Sequence, residues 1–422
     1  MIPVNMALEL AGRGRLGQIG LLVLVLVFGA APDGRAIEEL EAEENIAELL
    51  PAKFPGEEEA GTAGRMWAFL PEFGFGPDTG FLFGGKYAHR DFLSSGISLD
   101  LEANYSLEEQ ASAVFSVASP NLRGNRFLVL FRGKFHLDPQ REFFGLGNNE
   151  VGPDPASTHE FQEVAGALTL GWRPFERVAL NFGIGLRYVD IRRGKRKEDF
   201  PFTPDEFPGL PGIHGGKVTP FALSVVWNTR DDVVRPTRGW RLIAKIIHND
   251  SILLGDFQFT RFLVDASYLR SFRAGRQIFG VRVAGEWSVA PRGEVPFWEL
   301  SELGGPDTLR GFFPHRFVGR GRVLFNGEYR FRIHEFDFFD LWRVRVDGVL
   351  FGDGGRVFID RDDLEEEFTL DERILERIIS DFQWSAGAGL RFALSQALLA
   401  RIDVGFSEEE RALVYLSFGH TF

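Results

Sequence analysis

From Trp67 onward, apolar and polar residues alternate with the two-residue period of strands, whose successive side chains point to opposite faces. Between Arg276 and Ala290, Phe279, Val281, Val283, Trp287 and Val289 share one face while Arg282, Glu286 and Ser288 share the other. Between Arg177 and Ile191, Leu180, Phe182, Ile184, Leu186 and Tyr188 alternate with Asn181 and Arg187. Further on, Phe325, Tyr329, Phe331 and Ile333 oppose Asn326, Glu328, Arg330 and Arg332. A soluble sandwich would need a second sheet over each apolar face. A transmembrane barrel instead sets lipid against one face and a wet lumen against the other. The pattern predicts an all-β fold, a transmembrane antiparallel β-barrel over 67–422.

Alternation places strands at Trp67–Phe75, Gly80–His89, Gly96–Tyr105, Gln110–Ala118, Arg126–His136, Phe161–Trp172, Arg177–Ile191 and Val218–Asn228. It continues with Trp240–Asn249, Asp256–Ser271, Arg276–Ala290, Arg322–Ile333, Leu341–Gly352, Phe382–Ala393, Leu398–Phe406 and Ala412–Phe422. About sixteen strands is an even number, so both ends of the barrel lie in the periplasm. With the first strand starting there, Arg173–Glu176, Phe272–Gly275 and the link near Ser395 are short inner turns. Leu137–Glu160, Arg192–Lys217, Pro291–Gly321 and Asp353–Asp381 become outer loops, which matches the asymmetry of outer-membrane barrels.

Composition narrows the reading. Past the N-terminus no long apolar run could cross a membrane as a helix. The 422 residues include 49 Gly and 43 Phe, a pairing that suits crowded barrel walls and lipid-facing or interfacial positions. The absence of Cys excludes disulfides, Cys zinc sites and thiol nucleophiles, and a net charge of -13 argues against nucleic acid as a partner. Arg13 and Arg15 followed by the apolar Ile19–Phe28 and small residues read as a secretory signal peptide over 1–36, cleaved near Ala36. The alternative is a single anchoring helix, for which the apolar core is short. Residues 37–66 are acidic (EELEAEEN, then GEEEAG), with a short helical-looking piece at Ile46–Leu50. They are expected to form a mostly disordered periplasmic leader, with no folded periplasmic domain before Trp67.

The most distinctive segment is the loop Gly304-Gly305-Pro306-Asp307-Thr308-Leu309-Arg310-Gly311-Phe312, followed by Asn326-Gly327-Glu328-Tyr329-Arg330-Phe331. Three weaker elements accompany it: Phe351-Gly352-Asp353-Gly354-Gly355, Asp231 through Pro236-Thr237-Arg238-Gly239, and Phe144-Gly145-Leu146-Gly147-Asn148. In their order and spacing these resemble the barrel of the BamA/TamA-type outer-membrane assembly superfamily, also called the bacterial surface antigen family. The resemblance covers about Trp67 to Phe422 and implies a place in the bacterial outer membrane. It also implies that the sixth outer loop folds back into the lumen, where acidic wall residues hold its Arg-Gly pair.

Strand parity points Asp353 inward with Arg343, Arg345 and Asp347, where it can meet a loop-borne Arg310. A guanidinium away from bulk water needs a carboxylate of matched geometry. Arg310 is therefore expected to pair with Asp353, with Glu328 as a second acceptor; the alternative is an exposed arginine in a flexible loop. Leu309, Gly311 and Phe312 complete the loop motif, and Arg282, Glu286, Arg330, Arg343 and Arg345 line the lumen. Leu416, Phe418 and Phe422 in the last strand resemble the signal that barrel assembly machinery reads, although His420 stands where an apolar residue is common.

The resemblance implies assistance in inserting or translocating proteins or lipids, through a weak seam between a short, Pro71-bearing first strand and the last strand. The family's machines carry periplasmic POTRA domains, which are not expected here, so the second reading is a gated or passive pore. No Ser/His/acid constellation is evident, and neither an enzyme, a cofactor nor a metal is expected; the eight histidines show no metal spacing and read as single surface or lumen residues. Expected partners are outer-membrane lipids and lipopolysaccharide, the assembly machinery during biogenesis, and a separate periplasmic protein. The basic run Arg192–Lys197 is either a lipopolysaccharide contact or a solvated loop.

Overall fold

A computed structural model describes Trp67 to Phe422 except 95–96, 123–125, 149–153, 196–199, 233–234, 252, 291–293, 339–341, 363–367, 369–376, 378–379, 394–398 and 419–421. The expected signal peptide and acidic leader lie outside the described residues. The strands are β1 (Trp67–Gly76), β2 (Gly80–Phe92), β3 (Ile97–Ser106), β4 (Ala111–Leu122), β5 (Phe127–Phe143), β6 (Ser157–Phe175), β7 (Val178–Arg192), β8 (Gly215–Val218), β9 (Pro220–Asn228) and β10 (Gly239–Asn249). They continue as β11 (Phe259–Phe272), β12 (Gln277–Val289), β13 (Ser301–Leu303), β14 (Phe317–Gly319), β15 (Gly321–Phe338), β16 (Trp342–Phe358), β17 (Gln383–Ala393), β18 (Leu399–Ser407) and β19 (Leu413–Phe418).

All but β13 and β14 form one antiparallel sheet closed into a barrel of 16 staves. β8 and β9 are two halves of a single stave, interrupted at Thr219 just before Pro220, whose ring nitrogen cannot donate to the ladder. The β13–β14 hairpin lies inside the sixth outer loop, between β12 and β15. A short helix α1 (Thr203–Glu206) sits in the fourth outer loop, and a single 3-10 turn, Phe297–Glu299, opens the sixth.

The alternation maps onto the wall as predicted. Phe115, Phe131, Leu168, Phe182, Phe262 and Phe279 are exposed on the outside, where lipid meets them, while Ser116, Lys134, Thr169, Asn181, Asp265 and Glu328 are buried inside. Several wall glycines lie directly opposite a large aromatic on the neighbouring strand: Gly133 opposite Phe115, Gly348 opposite Phe331, Gly321 opposite Trp287, and Gly354 opposite Trp384. A β-carbon at Gly133 would fall 2.1 Å from the Phe115 ring, and one at Gly354 would fall 2.3 Å from Trp384. The aromatic therefore lies flat over the space that the glycine leaves.

One expectation needs correction. β5, β6 and β16 run well past their expected ends, so most of 137–143, 157–160 and 353–358 is strand rather than loop. Past the lipid the logic of the faces changes: the lumen there is filled by apolar loop side chains, and a bulge between Asp138 and Arg141 resets the register. Among the histidines, His159 is buried against the Phe297 ring, with its Nδ1 3.0 Å from the Thr203 hydroxyl.

Closure is uneven. β1 pairs with β2 along its whole length, but among the described residues it pairs with β19 only at Phe75–Leu416, whereas β11 and β12 pair from Thr260–Val289 to Phe272–Gln277. Few ladder bonds make a strand edge easy to open. Hydrogen exchange of the reconstituted barrel is therefore expected to reach β19 amides and the seam-facing amides of β1 well before those of β11 and β12; equal protection would contradict the weak seam.

The inner turn between β9 and β10 is organised by Asp231, whose carboxylate accepts the Thr237 amide at 2.8 Å, the Arg238 amide at 3.1 Å and the Thr237 hydroxyl at 2.5 Å. Partial burial pushes this carboxyl up, but the three hydrogen bonds outweigh it and hold it below its ordinary value. Because the native value is lowered, the carboxylate steadies the turn fully above about pH 4 and loses that effect as pH falls through the native value. Exchange protection of the Thr237 and Arg238 amides should differ between wild type and Asp231→Ala at neutral pH, and converge as the solution is acidified below about pH 4.

Candidate functional site

The sixth outer loop does not stand clear of the barrel. Gly304, Gly305 and Gly311 adopt positive φ, of 120°, 91° and 110°, which glycine tolerates without strain. These turns close a compact tip: the Thr308 hydroxyl donates to the Gly304 carbonyl at 2.8 Å, and the Gly305 amide to the Phe312 carbonyl at 3.0 Å. Leu303, Leu309, Phe312 and Phe317 pack on the inward-facing Ala284, Leu324 and Val357 of β12, β15 and β16, forming a dry cluster beside the tip. Burial of each large side chain there contributes roughly 1.5–3 kcal/mol, which anchors the loop before any charge is counted.

That anchoring places Arg310 among carboxylates. Its Nε and one terminal nitrogen each lie 2.8 Å from the two Asp353 oxygens, a two-pronged match, and the other terminal nitrogen donates to Glu328. The guanidinium carbon sits 3.7 Å from the centre of the Phe351 ring. Phe351 can lie flat because its neighbour across the ladder is Gly387, where a β-carbon would fall 2.4 Å from the ring. Asn326 donates to Asp353 at 2.9 Å and to the Thr308 carbonyl at 2.7 Å, tying the same carboxylate to the loop backbone. Glu328 also takes Arg330 at 2.7 Å, and Asp403 on β18 takes Arg391 at 2.7 Å, so the buried charges are shared among neighbours rather than isolated.

The tip also touches the strands beside the seam. The Gly311 amide lies 3.2 Å from the Tyr415 hydroxyl on β19, which donates to the Phe312 carbonyl, and Ser407 on β18 donates to the Gly311 carbonyl at 2.7 Å. Gly311 and Gly405 approach backbone to backbone, and a β-carbon at Gly405 would fall 2.5 Å from the Gly311 nitrogen. Asp307, at the head of the tip, meets Arg401 of β18 and offers its carbonyl to Arg282 at 3.1 Å.

Of the remaining sites read from the sequence, Arg282 pairs with Asp265 at 2.7 Å, Glu286 receives Arg261 at 3.2 Å and Arg322 at 3.0 Å, and Arg345 pairs with Asp347 at 2.7 Å. The side chains of Arg343 and Phe418 lie outside the described residues. Leu416 occupies the seam position opposite Phe75. Phe422 is buried with the Arg330 guanidinium 5.4 Å from its ring, and its ring edge would meet a β-carbon at Gly280 at 3.0 Å. The last residue therefore lies over the inner faces of β12 and β15. Of the basic run, Arg192, Arg193 and Lys195 pair with Asp190, Asp205 and Glu109, while Arg196 and Lys197 lie outside the described residues.

Sequence reasoning missed a second charged girdle nearer the outer end. Glu163 holds Lys134 at 3.0 Å and Arg187 at 2.8 Å, and Arg187 also reaches Glu299 of the sixth loop. Glu299 takes Arg261 at 2.7 Å as well. The available signal was a lone carboxylate in the apolar stretch Phe297-Trp298-Glu299-Leu300, which makes sense only if a cation meets it. Above the girdle, Phe143, Phe161, Val189, Ile213, Phe297 and Trp298 from five segments close the outer end. Asn148 extends this cap, donating to the Val357 carbonyl at 2.6 Å and accepting its amide at 2.9 Å.

A lumen arginine held by two wall carboxylates, on a loop returning into a 16-stave barrel, gives the comparisons with known proteins their context. The Omp85 superfamily domain matches residues 91–422. The chain belongs to the Omp85 superfamily. Its location is the bacterial outer membrane. Among solved structures the fold is similar to BamA from Haemophilus ducreyi lacking POTRA domains 1–3, at 14% identity and a TM-score of 0.60, covering 85% of this chain and 71% of that one. It is similar also to CdiB from Escherichia coli, at 15% identity and a TM-score of 0.59, covering 90% and 70%. CdiB from Acinetobacter baumannii gives 11% identity and a TM-score of 0.53, covering 85% and 60%. No curated protein sequence matches it.

Replacing Arg310 by Ala leaves Asp353 and Glu328 buried opposite an empty position, at a cost of about 3–5 kcal/mol. Arg310→Ala should unfold at lower temperature in a gel-shift assay of heat-treated barrel, and Arg310→Lys should fall between it and wild type because an ammonium cannot grip both Asp353 oxygens. Unchanged melting in Arg310→Ala would show that the guanidinium does not hold the loop.

Proposed function

We propose that this Omp85 barrel assists insertion or translocation of proteins or lipids at the outer membrane, and that it works at its seam rather than through an open lumen. The observation that carries the reading is the pairing of a seam that has one paired position among the described residues with a loop tip anchored both to β15 and β16 and to the strands beside the seam. Arg310 grips β15 and β16, while the adjacent backbone is held by β18 and β19. Loop 303–321, folded into the lumen, then serves both as a plug and as a brace for the strand that must part from β1. Outer-membrane lipid, lipopolysaccharide included, would be the immediate neighbour of the seam, and a separate periplasmic protein would supply substrate handling. The assembly machinery would read Leu416, Phe418 and Phe422 during biogenesis. No catalytic chemistry is assigned to the barrel.

A gated or passive pore is the competing reading, and the two differ in conductance. Purified wild type in planar bilayers is expected to be electrically quiet, and Arg310→Ala to flicker. Deletion of Leu303 to Gly321 is expected to give steady large currents. Steady currents from the wild type would favour the pore.

A further inference from the structure

From the β4–β5 turn to the β11–β12 turn, the inner rim of the barrel is rich in arginine. The side chains of Arg126, Arg173, Arg177, Arg241, Arg273 and Arg276 make no hydrogen bond or ion pair among the described residues. Arg241 buries its Nε without an acceptor. Few carboxylates share these turns: Asp231 and Asp232 accept amides of their own turn, which leaves Glu176. The arginines are also close neighbours. The Arg173 amide donates to the Arg126 carbonyl at 2.8 Å, the Asn228 amide donates to the Arg177 carbonyl at 2.9 Å, and Arg241 lies opposite Asn228. Past Arg276 the pattern changes, for Arg332 pairs with Glu335 at 3.2 Å and Arg345 with Asp347 at 2.7 Å. Unanswered positive charge among the described residues is therefore gathered on one arc of the rim, where like charges on adjacent strands raise the local potential.

The faces show which anion can reach that arc. Arg126, Arg173 and Arg241 have the parity of the inward-facing Leu128, Thr169 and Lys245, whereas Phe127, Trp172 and Trp240 beside them are exposed to lipid. A phospholipid phosphate is best met by cations on the outer face. Cations turned to the mouth of the lumen suit an acidic polypeptide lying across it. The chain itself supplies one, since residues 37–66, with EELEAEEN and GEEEAG, immediately precede β1, which starts at this same rim. Glu59 lies eight residues before Trp67, a reach of roughly 26–29 Å when extended. Arg126 stands at the start of β5, four strands along from β1, or about 20 Å around the rim. The glutamates nearer the N-terminus have chain enough to reach Arg177 and Arg241.

We infer that the acidic segment 37–66 docks across the inner mouth of the barrel on this arginine arc, Glu57–Glu59 toward Arg126 and Arg173 and Glu38–Glu44 toward Arg177 and Arg241. Each exposed pair is weak and screened by salt. Tethering makes the contact intramolecular, at an effective concentration of about millimolar, and several pairs act together. The segment stays outside the lumen, which the sixth loop already occupies, and covers the approach to the inner mouth. This docking holds whether or not the barrel works at its seam.

The chain contains no Cys, so spin labels can be placed at chosen positions without removing a native thiol. The test measures the distance between labels at Glu43→Cys and Glu176→Cys in the whole protein, in nanodiscs of mixed zwitterionic and anionic phospholipid. Low salt is expected to give a single narrow distribution, and about 1 M salt, where the screening length falls to about 3 Å, a broad one. Combining Arg173→Gln, Arg177→Gln and Arg241→Gln should abolish the narrow component. Combining Glu38→Gln, Glu39→Gln, Glu41→Gln and Glu44→Gln should do the same without touching the barrel, and carries the test if the arginine variant fails to fold. A broad distribution in the labelled wild-type background at low salt would leave the arginines to phospholipid phosphates or to an acidic partner protein, and would overturn the proposal. So would a narrow distribution that survives high salt and both neutralised variants, because the contact would then not be ionic.

Discussion

The Arg310 guanidinium is the constraint on which the rest of the lumen depends. Buried between Asp353, Glu328 and the face of Phe351, it is stable only because every neighbour is in place: two carboxylates to neutralise it, Asn326 to orient one of them, and Gly387 to let the aromatic lie flat. A buried ion pair gains little over apolar packing, but removing one member is costly. Such a cluster therefore specifies a position more than it adds stability. What it specifies is where the tip of the sixth outer loop comes to rest against β15 and β16.

From that point two mechanical paths diverge. One runs through β15 and β16, whose ladders with their neighbours are long, and the other through Gly311 to Tyr415 and Ser407 on the strands next to the seam. The loop tip thus links a firmly paired part of the wall to a part held to β1, among the described residues, at one position. Any displacement of β19 would have to break the Tyr415 contacts, and a change that loosened Arg310 would release them from the other side. Both steps work on the same short backbone segment, which has no room for a side chain at Gly311 or Gly405.

The aromatic-over-glycine pairs show how composition becomes structure in a membrane wall. A flat Phe or Trp opposite Gly covers the neighbouring strand without a bulge on the lipid side, and the same device on the lumen side builds the platform under Arg310. Where glycines and alanines meet with no aromatic to cover them, as along β6, β7 and β9, the result is a cavity beside Lys245.

The sequence by itself determined the stave number, the face each residue takes and the loop that carries Arg310, because period-two alternation is enforced at every strand by lipid on one side and water or charge on the other. Parity put Asp353 and Glu328 on the inner face, and the family resemblance brought the loop that carries Arg310 to them as candidate partner. It was silent on Glu299, on the Tyr415 clasp and on the outer cap of Phe143, Phe161 and Trp298. Those contacts join residues from distant segments whose meeting depends on barrel curvature and on loops packing against one another, neither of which leaves a periodic trace. Strand ends were misread for the same reason: beyond the lipid the inner face packs against loops, so apolar residues turn inward, and only the tertiary structure shows where that change begins.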